Sequence, residues 1–427
     1  MSATPNQRRE SGAREEGASR LTARVALTFL AAVLPSSGAG AAEGWTSFRG
    51  DALRSGNAGG SSMPERLELR WRFRSDDYRS PSFDASPAIS DGAVLVGMAE
   101  RSVFSPAGRV VCLDGASGKR TWDFKTRYPV FSSPVVAGGR VYSGEGYHQD
   151  SECRLYCLDA ASGAERWVFQ TKSHIESTPH VAGGRVYFGA GEDGLYCVGA
   201  EDGKALWHFN GGHVDLSPLV TSGLVFAGTG YGQAAAFCLS AKDGEVRWKT
   251  PVDLPCWGSP VRVGNRVYYG LGGGSLLPAD EDSKGAVLCL AATNGEKIWQ
   301  RDLPGPVLTA IAFGGGKLFC GSRDAHIYAL DPNGGAVLWK LPLGAPVIAS
   351  PLVGERAIAG VSQTGRLTVA AIASGEVLAT LELEKILGEG TRTVSSPALS
   401  AGQIIVCGGG SVLSIGSGQG AGKEGKP

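Results

Sequence analysis

Apolar residues along this chain fall in short runs, with Gly, Pro, Asp and Ser gathered between them. Two stretches show the pattern plainly: Pro134-Val-Val-Ala-Gly-Gly-Arg-Val-Tyr-Ser-Gly144 and Pro179-His-Val-Ala-Gly-Gly-Arg-Val-Tyr-Phe-Gly189. Each reads as a strand, a tight glycine turn and a second strand. A further pair of runs follows every such hairpin. In the copy Cys112-Leu-Asp-Gly-Ala-Ser-Gly-Lys-Arg-Thr-Trp122, an apolar strand ends at Leu113, a turn follows, and a last strand carries the Trp. The turn glycine can take φ > 0, so the turn chemistry closes a β-hairpin and fixes its register.

The second hairpin has a fixed internal frame: a small or sulfur-bearing residue, Gly six positions later, Trp four beyond that. After Cys112/Gly118/Trp122 come Cys157/Gly163/Trp167, Cys197/Gly203/Trp207, Cys238/Gly244/Trp248, Cys289/Gly295/Trp299, Ala329/Gly335/Trp339 and a degenerate Val369/Gly375/Ala379. The offset is invariant while the gap between copies runs from 40 to 51 residues, which marks an array. A Ser-Pro or Thr-Pro pair opens the first strand at Pro87, Pro134, Pro179, Pro218, Pro260, Pro351 and Pro397, with Thr309-Ala310 in the remaining slot. Pro has no backbone donor and suits the first residue of an edge strand. Each unit is therefore four strands, A to D, and such units of this length form propeller blades. There are eight A starts but only seven downstream D strands. Leu69-Arg-Trp71-Arg-Phe73 supplies the eighth, pairing with the strands at Gln403–Cys407 and Ser411–Ile415 to close the ring. The expected fold is all-β: an eight-bladed propeller of four-stranded antiparallel blades over residues 69–416.

Leu-Asp-x-x-Ser-Gly-x-x-x-Trp resembles the pyrroloquinoline quinone (PQQ) repeat of the quinoprotein alcohol dehydrogenase-like propellers. That superfamily includes BamB, the propeller lipoprotein of the outer-membrane β-barrel assembly machinery. The resemblance spans roughly Leu69 to Ile415 and specifies the fold; one fold hosts unrelated activities.

Ahead of the repeats, Met1–Arg24 is polar and Arg-rich, Val25–Leu34 is apolar, and small residues continue through Ala39-Gly-Ala-Ala42. This reads as a secretory signal over residues 1–42 with cleavage near Ala41 or Ala42. Ten apolar residues are too few to span a bilayer, and Arg8-Arg9 lies too far from them for a twin-arginine signal. No Cys stands at the cleavage site, so the lipid anchor of BamB is not supported, and a periplasmic or extracellular protein is expected. Residues 43–68 contain Trp45-Thr-Ser-Phe-Arg-Gly50, which resembles the lead-in of exported PQQ-like repeat proteins, with Trp45 and Phe48 expected to plug one end of the propeller. Residues 417–427 read as a disordered tail.

Charge changes the picture by exclusion. With 41 basic and 41 acidic residues there is no field to attract nucleic acid or anionic lipid. The nine cysteines of an exported chain suggest disulfides, but five of them hold the same slot in successive blades. Packed sheets lie ~10 Å apart and a disulfide needs Cα atoms within ~7 Å. Cys153 and Cys157 sit roughly 13 Å apart along a strand. The expectation is buried thiols packing as small apolar groups, with Cys256, Cys320 and Cys407 unassigned.

Strand order places the variable D-to-A and B-to-C loops on one face and the short uniform turns on the other. Three residues before each Pro, or before Ala310, the first face presents Asp84, Phe131, Glu176, Asp215, Trp257, Val307, Ile348 and Val394; five before, blades three and four present His174 and His213. Asp84, His174, Glu176, His213, Asp215 and Trp257 are thus the candidate ligand site at the channel mouth. The plain alternative is that they solvate the mouth or pair with Arg392 and Arg79. Asp280-Glu281-Asp282 in a long B-to-C loop lacks calcium-loop spacing.

Three functions compete. The resemblance implies that a quinoprotein dehydrogenase holds PQQ between a Trp and a disulfide of two adjacent cysteines, over a calcium ion with a catalytic Asp. This chain has no Cys-Cys dipeptide and no long insertions, although Trp257 offers a stacking ring and Asp84, Glu176 and Asp215 offer carboxylates. A metal-dependent hydrolase would draw on the His174-x-Glu176 and His213-x-Asp215 pairs. The favoured reading is a non-catalytic, BamB-like scaffold that binds a protein or small ligand on the loop face. A monomer, with no transmembrane segment, is expected.

Overall fold

The computed structural model describes residues 44–74, 80–100, 107–273, 283–388 and 390–417. The apolar leader, the acidic 280–282 stretch, Arg79 and the tail beyond Ser417 lie outside the described residues. Eight antiparallel sheets are present, and seven hold consecutive strands in sequence order. The eighth takes its outer strand from the front of the chain: Glu68–Arg74 pairs with Ser411–Gly416, with Trp71 opposite Ser414. The expected eight-bladed all-β propeller, closed by the strand around Trp71, is the fold. Blade one departs slightly, since Pro81–Ser82 and Ala88–Ser90 both pair with its long second strand, Ala93–Glu100.

The repeated frame has a direct physical cause. Each small residue is the cross-strand partner of its Trp, as in Cys112↔Trp122, Cys157↔Trp167, Cys197↔Trp207, Cys238↔Trp248, Cys289↔Trp299 and Ala329↔Trp339. A large ring opposite a small side chain fills the cross-strand space without collision. The Trp then leans onto the next blade. At Gly203, where φ is 68°, an added Cβ would lie 2.6 Å from the Trp167 ring, and the Trp167 indole N–H donates to the Ala200 carbonyl at 3.2 Å. The same clasp joins Trp71 to Gly118 and Gly115, and Trp122 to Gly163 and Ala160. It continues round the ring to Trp339, which meets Gly375 and Ile372. The frame ends there because Ala379 stands where blade seven would carry its Trp. The Asp of Leu-Asp fastens the turn: Asp114 accepts from the Ser117 N–H and hydroxyl at 2.8 and 2.5 Å.

The Ser-Pro mark also joins blades. The Ser396 N–H donates to Ser86 Oγ, Ser86 N–H to Ser133 Oγ, Thr178 N–H to Ser217 Oγ and Ser217 N–H to Ser259 Oγ, all at 2.9–3.0 Å. The Ala310 and Ser350 amides repeat the contact to Ser350 and Ser396. The hydroxyl is thus a rivet between neighbouring A strands; in blade six the donor is Ala310 and the strand starts at Ala312, so Ala310-Ile311, and not the expected Thr309-Ala310, takes the Ser-Pro slot.

The lead-in lies against the A strands near their turns. Trp45 is buried and bridges Ile89, Val136 N–H donates to Thr46 O, Phe313 N–H to Ser55 O, and Val353 N–H to Gly56 O. Arg54 crosses to blade three, where it donates to the Thr178 and Pro179 carbonyls at 2.9 and 2.7 Å. Phe48 is half-buried under the Arg54 guanidinium. All nine cysteines are buried and unpaired, Cys320 and Cys407 on second strands and Cys256 at the start of blade five. Among the described residues no helix is long and apolar enough to cross a membrane.

Candidate functional site

Between blades two and four, four connections meet on the loop face. The loop after strand Arg140–Gly144 carries Tyr147 and His148, and the connection after Glu165–Gln170 carries Ser173, His174 and Glu176. The loop after Arg185–Gly189 carries Glu192, and the connection after Ala205–Phe209 carries His213 and Asp215. Backbone pairing holds them in place: Ser151 bridges Ser173, Gly191 bridges Val214, and the Ile175 N–H donates to Glu145 O at 2.9 Å. Two glycines give the fully buried His174 its space. A Cβ on Gly146 (φ 103°) would meet His174 Cβ at 3.0 Å, and one on Gly191 (φ 48°) would meet its ring at 2.4 Å.

His174 Nε2 lies 3.0 Å from one Asp215 oxygen, and His213 Nε2 lies 2.5 Å from the other. Behind the rings, Ser173 Oγ is 3.1 Å from His174 Nδ1 and 2.6 Å from the Glu192 carboxylate, which is also 3.3 Å from His213 Nδ1. The His148 ring centroid stands 5.0 Å from that of His174 and 5.8 Å from that of His213. Glu176 accepts the His148 backbone N–H at 3.1 Å and lies 3.8 Å from His174 Nε2. One ligand atom from each of His148, His174, His213 and Asp215 lies within 4.8 Å of the others, a spacing that can hold a cation.

Electrostatics separate the two carboxyls. Burial would raise Asp215, but hydrogen bonds and charge from His174 and His213 outweigh it and hold the group at about 2. Glu176 is pushed well above the usual carboxylate range by burial and then by the Asp215 charge. Burial lowers His148, against the pull of Asp215, whereas at His213 the Asp215 bond and charge overcome burial and raise it.

Aromatic rings continue outward from the histidines. Phe131 meets Tyr147 at 5.1 Å, Tyr147 meets His148 at 5.2 Å, His213 meets Tyr231 at 4.8 Å and Tyr231 meets Trp257 at 5.0 Å. The band crosses blades two to five, with Tyr147 and Tyr231 exposed. The structure therefore brings together His174, Glu176, His213 and Asp215, with Trp257 at one end of the band. Asp84 lies apart: it bonds Ser82 of its own blade, and its charge reaches the Cys407 thiol of blade eight. Arg392 lies against the Gln363 amide. Sequence reasoning passed over His148, Tyr147, Glu192 and Tyr231, which sit on B-to-C loops outside the repeat frame. The signal for His148 was in the composition, since half of the six histidines fall on loops of one face in neighbouring blades.

Residues 66–152, 144–269, 210–286 and 283–423 match the family described as outer membrane protein assembly factor BamB. The chain belongs to this family. A BamB from Alkalilimnicola ehrlichii is 28% identical over 144 residues, 31% of this chain and 35% of that relative, so the similarity spans about a third of the relative's length. The solved BamB of Moraxella catarrhalis superposes with a TM-score of 0.63 at 16% identity, covering 83% of this chain and 99% of that one. A quinohemoprotein alcohol dehydrogenase from Comamonas testosteroni superposes at 0.67 and 16% identity, covering 91% and 83%. At such identity these two likenesses speak for the fold. Of the quinone site expected in the dehydrogenases, the pair of adjacent cysteines is missing from this sequence. The Trp257 ring lies on the Gly230 backbone and takes the Tyr231 ring edge-on, and its neighbour Cys256 is buried against Gly228 with no adjacent cysteine to form the opposing jaw.

Proposed function

We propose that the chain is an exported, non-catalytic binding propeller that takes a protein partner on its loop face, at the mouth between blades two and five. The observation that carries this reading is the band of rings from Phe131 through Tyr147, His148 and Tyr231 to Trp257, in which the two tyrosines are 39% and 45% exposed. Exposed aromatic side chains over a rigid scaffold supply contact area at little entropic cost. Family membership supports the reading, because its relatives are outer membrane protein assembly factors. Export rests on the apolar leader read from the sequence.

A photo-reactive residue placed at Tyr231 in the producing cell tests the partner face, with the same residue at exposed Asp202 on the opposite face as control. A discrete adduct from position 231 alone supports the proposal; equal labelling at both positions, or none at 231, overturns it. For export, the mature protein is expected outside the cytoplasm with a new amino terminus near Glu43. A cytoplasmic protein beginning upstream of Val25 refutes that part.

A further inference from the structure

We propose that His148, His174, His213 and Asp215 bind one divalent transition-metal ion of the zinc type at the mouth of the propeller. The Ser173 hydroxyl has one hydrogen, and the Glu192 carboxylate 2.6 Å away can only accept, so that hydrogen goes to Glu192. Ser173 Oγ must then accept from His174 Nδ1, 3.1 Å distant. His213 Nδ1 lies 3.3 Å from the same carboxylate. Both imidazoles thus turn Nδ1 toward the Glu192 side and Nε2 toward the two oxygens of Asp215, at 3.0 and 2.5 Å. The His148 ring stands beside both, its centroid 5.0 Å from that of His174 and 5.8 Å from that of His213. One divalent cation placed there can draw a ligand atom from each of His148, His174, His213 and Asp215, which lie within 4.8 Å of one another.

The surroundings match that assignment. A metal-bound histidine ordinarily donates its second N–H to a carboxylate or hydroxyl, which fixes the ring and strengthens the ligand. Glu192 does this for His174 through Ser173, and its carboxylate lies 3.3 Å from His213 Nδ1. Three imidazole nitrogens and one carboxylate suit zinc, cobalt, nickel or copper, and not calcium or magnesium, which take oxygen ligands. Tetrahedral ligation at metal–ligand distances near 2.1 Å sets ligand atoms about 3.4 Å apart. The present set lies within 4.8 Å, so the longest separation must close by about an ångström, while His213 Nε2 and the Asp215 oxygen 2.5 Å from it must open by a similar amount. Glu176, near both His148 and His174, stands ready as an added oxygen donor. The metal site shares the mouth with the proposed partner surface but does not require a partner, so the two tests fail independently.

The test uses the full mature chain, stripped with a chelator and titrated with zinc(II) and cobalt(II) by calorimetry in two buffers of different protonation enthalpy. The expected result is one ion per chain, with net proton release because the Nε2 protons leave. Zinc should also raise the melting temperature as its concentration increases. His148→Ala, on an exposed loop, should keep the fold and weaken zinc binding by at least about tenfold, and Glu192→Gln should weaken it about 10- to 100-fold. His326→Ala, remote from the cluster, should change nothing. Absence of saturable binding up to millimolar metal, or binding unaltered in both His148→Ala and His213→Ala, overturns the proposal.

Discussion

Replacing Gly203 by Ala should destabilise the propeller far more than replacing Gly184 by Ala, although both glycines have φ near 70° in neighbouring turns of blade three. The common part is the left-handed backbone, which costs an L-residue roughly 1–2 kcal/mol. At Gly184 nothing lies within 4 Å of the added methyl, so that is the whole effect. At Gly203 the methyl would stand 2.6 Å from Trp167 Cε3 and 2.8 Å from Cδ2, about an ångström inside ordinary contact. Overpacking of that kind adds about 1–3 kcal/mol. Displacing the ring also strains the indole hydrogen bond to Ala200, worth about 0.5–1.5 kcal/mol. The expected total is about 2.5–6.5 kcal/mol against about 1–2 for the control, read from denaturant midpoints of the two variants and the parent. Trp167→Ala in the Gly203→Ala background should lose less than the sum of the single changes, because the clash is gone. Equal losses at Gly203 and Gly184 would refute the claim that the repeat glycine exists for the neighbouring Trp.

Three further expectations use other parts of the structure. Trp71→Ala removes a buried clasp to Gly115 and loosens the strand that closes the ring, so a loss of about 3–5 kcal/mol is expected, with aggregation through the bared Ser411–Gly416 edge; a monodisperse, equally stable variant would contradict the closure. Buried Glu145 is raised above its ordinary range by burial, against the hydrogen bonds its Oε2 accepts from Arg127 N–H, Tyr128 N–H and Tyr156, while Oε1 has no partner. Its favourable contribution is present while protonated and is lost as pH rises through the elevated value, so the stability of Glu145→Gln relative to the parent should climb from about pH 4 to pH 7. A flat or falling difference in thermal midpoints would oppose this. The nine buried thiols are all shifted upward, Cys157 to about 11 and Cys256 to about 12 by burial, so a thiol reagent at pH 8 should modify none in the folded protein and all nine after denaturation; rapid native labelling would show that a blade opens.

Much of the fold was legible because each element obeys a local rule that the sequence states openly. The offset from Cys197 to Trp207 is a cross-strand pairing distance, the glycine between them answers a positive φ, and the Pro marks an unpaired strand edge. Closure was legible by subtraction, since one outer strand was missing at one end and one orphan strand with Trp71 stood at the other. What could not be read was the reason for the Ser before each Pro. Its hydroxyl acts between blades, as from Ser217 N–H to Ser259 Oγ, and a contact across 42 residues has no local signature. Arg54 was hidden for the same reason, because its acceptors at Thr178 and Pro179 lie in blade three.

The site was half legible, and the division follows from what a repeat preserves. His174 and His213 occupy matching steps before Pro179 and Pro218, so counting back from the frame brings them to one arc of the mouth with Glu176 and Asp215. The same count also offered Asp84, yet equal steps in a ring of eight place residues at equal radius, not side by side. Blades one and three are separated by a whole blade, and Asp84 faces blade eight instead. His148, Glu192 and Tyr231 sit on loops whose lengths vary, where no frame fixes position and only folding brings them to the cluster. The repeat thus specifies the platform, and the departures from it make the chemistry. A loop such as Glu145–Ser151 can acquire a histidine without disturbing a blade, because its strand ends are already held by Glu145 and Ser151. His148 is for that reason the residue whose removal should separate ligation from folding.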